Sequence, residues 1–104
     1  MKQFDFTILD NLGMHPRPAG KITNCAKGFA SDISLSMGNK VVDAKKLMNV
    51  ISLNGKSGDN IHVVVSGADE DAAAEALGTV LAVELGNKEY AFASDPRLEI
   101  LTED

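Results

Sequence analysis

The chain has 104 residues, ten of them basic and fifteen acidic, giving a net charge of −5 at neutral pH. This length fits one domain with a modest core, and the acidic balance argues against general nucleic-acid binding. No apolar run approaches the ~18 residues of a membrane span, the first residues lack the features of a secretion signal, and Cys25 is the only cysteine, so a cytoplasmic protein without a disulfide or cysteine metal cluster is expected.

Phe4, Phe6 and Ile8 alternate with Asp5, Thr7 and Leu9, which predicts a first strand with one buried face. Next comes Gly13-Met14-His15-Pro16-Arg17-Pro18-Ala19. Pro16 and Pro18 lack an N–H and are tolerated only in the first turn of a helix, so His15 is expected at or beside the N-cap. Free N–H groups and the positive end of the helix dipole suit that position to a phosphate or another anion, and Arg17 adds a fixed charge with bidentate donors. From spacing alone, a proline-rich helix start with a surface histidine and arginine fits the same residues.

Ala19, Ile22, Ala26 and Phe29 recur at three- and four-residue steps, which predicts a first helix ending near Gly28, with Cys25 in a buried apolar role. Ile33, Leu35 and Met37 read as a second strand, Gly38-Asn39 as a two-residue turn, and Val41-Val42 as the returning strand. Asp43 is a candidate cap for a short helix in which Leu47, Val50 and Ile51 share a face. The Asn54–Asn60 segment reads as a loop, and Ile61, Val63 and Val65 as a further strand. His62 is out of phase with those three and is expected on the open face in a solvent role. Gly67 leads into a last helix with Asp69, Glu70 and Asp71 in its first turn and Ala73, Leu77, Val80 and Leu81 facing inward. The order is βαββαβα. Half-polar strands predict an α+β open-faced two-layer sandwich, a four-stranded antiparallel sheet with three helices on one face. Nothing in the spacing brings a carboxylate to the two histidines, so no metal site and no cofactor is expected.

With these elements in place, residues 1–86 resemble HPr, the histidine-containing phosphocarrier family of the phosphoenolpyruvate-dependent sugar phosphotransferase system. Gly13–Ala19 is similar to the family's active-site signature, Leu47–Leu53 to its second-helix segment, and Ser66–Glu70 to the start of its last helix. The resemblance implies that Nδ1 of His15 accepts a phosphoryl group from phosphorylated enzyme I and that a sugar-specific IIA protein or domain receives it, with Arg17 neutralising charge on the transferred oxygens. It further implies a monomer whose partner surface comprises Gly20, Lys21, Asn24 and Lys27 of the first helix with Leu47, Met48 and Ile51 of the second. By helical period, however, Leu47 and Ile51 also fit the core, which leaves Met48 as the clearest contact.

Three positions depart from the family pattern. Pro16 replaces a residue that usually offers an N–H beside the histidine, which predicts altered phosphate stability. Lys46 stands where many Gram-positive members carry a regulatory serine, so that switch is absent and a charge contact with an acidic partner is expected instead. Residues 87–104 form a C-terminal extension with two basic and five acidic residues, yet with Tyr90, Phe92, Leu98 and Ile100, so either a docked arm or extra strand, or a frayed tail, fits. A regulatory phosphocarrier of a non-sugar pathway, and an interaction domain independent of phosphate, remain open alternatives.

Overall fold

The computed structural model describes residues 1–86 and 98–102. Strands β1 (Lys2–Thr7), β2 (Asp32–Met37), β3 (Lys40–Asp43) and β4 (Asn60–Ser66) alternate with helices α1 (Pro16–Lys27), α2 (Leu47–Ser52) and α3 (Glu70–Leu85) in the expected βαββαβα order. A fifth strand, β5 (Leu98–Thr102), follows. The antiparallel sheet runs β3-β2-β4-β1-β5, so five strands stand where the pattern predicted four. The addition comes from the C-terminal extension. Residues 87–97, with Tyr90 and Phe92, and residues 103–104 lie outside the described residues.

One face of the sheet is packed and the other open because side chains alternate along each strand. Cross-strand register puts Leu35, Val63 and Phe4 in one row, all fully buried, with Phe6 opposite Ile61 and Ile33 opposite Val65. The helices supply Ala19, Ile22 and Ala26 from α1, Val50 from α2, and Leu77, Leu81 and Leu85 from α3. Removing a leucine or phenylalanine side chain from water stabilises by about 1.5–3 kcal/mol. Phe29 and Val80 pack against this core and stay partly exposed, while Cys25 is half-buried and desolvation pushes its thiol pKa up, away from the reactive thiolate.

On the open face, His62 lies opposite Asp5. Its Nδ1 donates to Asp5 Oδ1 at 2.9 Å, its Nε2 lies 2.9 Å from Gln3 Oε1, and Asn60 Nδ2 donates to the same Asp5 oxygen at 3.1 Å. His62 is thus on the open face, in agreement with its out-of-phase position, but half-buried and engaged by two β1 side chains instead of turned freely to solvent.

Two local expectations are corrected. Asp43 does not cap α2: Lys46 is the N-cap, and the Asp43 carboxylate instead receives the Lys45 N–H at 2.9 Å, closing a turn one step earlier. Leu47 does not join Val50 in the core; it is 40% exposed, as the first residue of a helix of only six residues in which Val50 alone is buried. Lys40 Nζ anchors the other end, donating to the Ser52 carbonyl at 2.8 Å.

Candidate functional site

The segment ahead of α1 is fastened on three sides. Leu9 and Asp10 donate their N–H groups to the Leu85 carbonyl at 2.8 and 2.9 Å, which ties the end of β1 to the C-terminus of α3. Leu12 N–H donates to Asp10 Oδ1 at 2.8 Å and Gly13 N–H to the Asp10 carbonyl at 3.0 Å, forming the tight turn that an Asp at this offset favours. Met14 N–H then donates to the Gly55 carbonyl at 2.8 Å. Gly13 has φ +64°, and a Cβ there would collide with the Gly55 carbonyl oxygen, so a side chain is excluded both by backbone conformation and by space.

This turn delivers His15 to the N-cap of α1, in extended conformation (φ −134°, ψ 177°) and with its ring free of any capping bond. Its carbonyl accepts the Ala19 N–H at 3.0 Å. Pro16 and Pro18 remove two of the first-turn donors, so the Arg17 N–H is the one first-turn amide among the described residues that is open to an incoming anion. Restricted φ at both prolines also fixes the helix start before any ligand arrives. His15 is half-buried, whereas Arg17 is exposed.

His15 and Arg17 line a groove of about 280 Å³ together with Asp10, Leu12, Val83 and Glu84. The last four are absent from the sequence expectation. Val83 and Glu84 lie about two thirds of the chain away from His15, and only the docking of α3 beside α1 brings them in; Leu12 and Asp10 could have been noticed as an apolar residue following an Asp-initiated turn. A nucleophilic imidazole, a guanidinium and an open amide on one lip can bind and receive a phosphoryl group, because such transfer depends on positioning and charge neutralisation more than on added catalytic groups.

From this lip the exposed side of α1 continues through half-buried Gly20 to exposed Lys21, Asn24 and Lys27. An added Cβ at Gly20 would meet nothing within 4 Å, so that position is open to solvent. α1 packs against both α2 and α3. On the α2 flank, Met48 is 72% exposed, Leu47 and Lys46 are exposed, and Ile51 is partly buried against the core. Lys45, by contrast, spends its ammonium on the Phe29 carbonyl at 2.9 Å. The expected partner residues thus lie on two helices that pack against each other, exposed except for half-buried Gly20 and Ile51.

A family model described as the PTS HPr component phosphorylation site matches residues 2–82. Over 86 residues the chain is 41% identical to a phosphocarrier protein HPr of Lysinibacillus sphaericus, covering 83% of this chain and 97% of that protein. Over 89 residues it is 36% identical to a phosphocarrier protein HPr of Cupriavidus necator, covering 86% of this chain and all (100%) of that protein. Among solved structures, the histidine-containing phosphocarrier protein of a Mycoplasma superposes with a TM-score of 0.78 at 29% identity, over 82% of this chain and 99% of its own.

Proposed function

Since the chain belongs to the PTS HPr family of phosphocarriers, we propose that His15 takes a phosphoryl group from phosphorylated enzyme I and delivers it to a sugar-specific IIA protein or domain in carbohydrate uptake. The observation that carries this reading is the lip of the groove, where the His15 ring is free of capping bonds and shares the space with Arg17. In the forward step the Nδ1 lone pair of neutral His15 attacks phosphorus, a nitrogen–phosphorus bond forms, and the bond from phosphorus to the donor breaks, its electron pair staying with the donor. The Arg17 N–H and guanidinium meet the phosphoryl oxygens. Added negative charge then favours protonation of the second ring nitrogen, and a protonated ring is the better leaving group, so one residue both accepts and releases the phosphoryl group. With Pro16 offering no N–H, the phosphorylated ring has one backbone donor fewer to hold it, which favours onward transfer.

Residues 1–86 constitute the carrier domain in this reading, and the exchange takes place in the cytoplasm. Incubation with enzyme I and phosphoenolpyruvate should yield one acid-labile, alkali-stable phosphate per chain. It should vanish in His15→Ala and persist in His62→Ala, and Arg17→Ala should slow transfer by about 10²-fold, the usual loss for one charge-stabilising donor. Phosphate retained in His15→Ala would sink the assignment.

A further inference from the structure

We propose that Leu12 is a docking contact for the phosphoryl-donating protein, on the flank of His15 opposite α2, and that it recognises an apolar and non-acidic patch on that protein. The inference rests on the phosphocarrier reading and names a part of the partner footprint that the α1–α2 surface does not contain.

Leu12 is 76% exposed, more than any other large apolar side chain of residues 1–86. A single exposed leucine is ordinary. This one is distinguished by its fixed backbone and its place. Its own N–H is bound by Asp10 Oδ1 at 2.8 Å, the Asp10 N–H by the Leu85 carbonyl at 2.9 Å, and the Met14 N–H by the Gly55 carbonyl at 2.8 Å. The turn therefore holds the residue out in water from both sides, and the side chain forms part of the same groove as His15 and Arg17.

The helices give this position its meaning. α1 packs against both α2 and α3, and the groove opens on the α3 flank, where Val83 continues the apolar lip from Leu12. Leu47 and Met48 stand on the α2 flank. His15 is thus straddled by two apolar contacts with the basic side of α1 between them. A folded donor whose phosphorylated side chain comes within the ~3–3.5 Å needed for transfer must approach the groove that Leu12 lines, and Leu12 loses its water as it does so. Charge narrows the chemistry of that donor. Asp10 and Glu84 line the groove beside Leu12, whereas Lys21 and Lys27 lie along α1, so acidic groups on the donor suit the α1 side and are repelled at the Leu12 side.

The test is the rate of His15 phosphorylation measured against enzyme I concentration for three chains: unsubstituted, Leu12→Ser and Leu12→Met. Leu12→Ser should raise KM for enzyme I about tenfold with kcat retained at saturation, since ~1.4 kcal/mol of lost contact is a factor of ten, and Leu12→Met should restore KM. Amide shifts of Leu12 and Val83 in the unsubstituted chain should move on titration with enzyme I. A Leu12→Ser KM within twofold of the unsubstituted value overturns the proposal; so does a loss confined to kcat, or Leu12→Met failing as badly as Leu12→Ser. Those results leave His15 phosphorylated and the phosphocarrier reading intact, whereas an unsubstituted chain that takes no phosphoryl group defeats the reading itself.

Discussion

Thr23 shows how one atom limits an otherwise satisfied core. It lies inside α1 at 2% exposure, and its Oγ1 is the buried side-chain polar atom that lacks a hydrogen-bond partner among the described residues. Keeping an unpaired hydroxyl away from water costs about 1–3 kcal/mol, and valine has nearly the same shape without the hydroxyl. Thr23→Val should therefore stabilise the protein by about 1 kcal/mol, raising the midpoint of thermal unfolding by ~4–8 °C in a domain of this size; a lower midpoint by calorimetry would contradict this account. Single residues also mark what could be read before the fold was known. Phe4, Phe6, Ile61, Val63 and Val65 announce their burial by strict alternation, and all are at 0% exposure. Leu47 misleads because periodicity reports which side of a helix is apolar and says nothing about how deeply each turn of so short a helix is buried.

Among the elements, α3 has an N-cap residue that works for a neighbour. Asp69 is the N-cap, yet its carboxylate makes no bond to its own helix. It accepts instead the Ser31 hydroxyl, the Ala30 N–H at 2.8 Å and the Ser31 N–H at 2.9 Å, clamping the start of α3 to the corner between α1 and β2. The Ser31 hydroxyl first, then the Ala30 N–H, hold this carboxyl below its usual value of 3.8. A folded-state pKa below the unfolded one means that the contribution is complete above pH 3.8 and fades as pH falls through the folded value. Asp5 and Glu70 are lowered in the same direction, Asp5 chiefly by His62 and Glu70 chiefly by the N-terminal amine. Asp69→Ala should lower the urea midpoint at pH 7 and make the decline in stability below pH 4 shallower without abolishing it. An unchanged acid limb would remove the clamp from the explanation. The acidic run Asp69-Glu70-Asp71 signalled a helix start in the sequence, but its partner in the clamp is 38 residues away, beyond any local pattern. In the same way Asp43 looked like a cap because its type and spacing were right, and Lys45 captured its carboxylate first.

At the scale of the molecule, a chain of net charge −5 displays Arg17, Lys21, Lys27 and Lys46 along the exposed side of α1 and the start of α2. Such a rim steers an acidic partner, and salt screens it over ~8–10 Å. Lys46→Glu should therefore slow phosphotransfer from enzyme I at low ionic strength through weaker association, with the deficit shrinking as salt is added and with little change in folding stability, since Lys46 is exposed. Equal rates for the two chains at low salt would take Lys46 out of the interface. The positions of His15 and Arg17 were legible from proline placement, whereas Lys21, Lys27 and Lys46 were expected at a partner surface only through the resemblance to the family. The far wall of the groove was not legible, because Val83 and Glu84 meet His15 only through the docking of α3. The fifth strand carries a consequence of another kind. With β5 on one side and β4 on the other, every register position from Lys2 to Phe6 of β1 has neighbours on both sides, so an invading strand from a second chain finds no vacancy there. The two borders of the sheet are then β5 itself and, on the far side, β3, four residues bounded by Lys40 and Asp43. A border that short and that charged is a poor template for fibril growth, and stripping β5 away would expose the apolar Phe4-to-Phe6 stretch to that hazard.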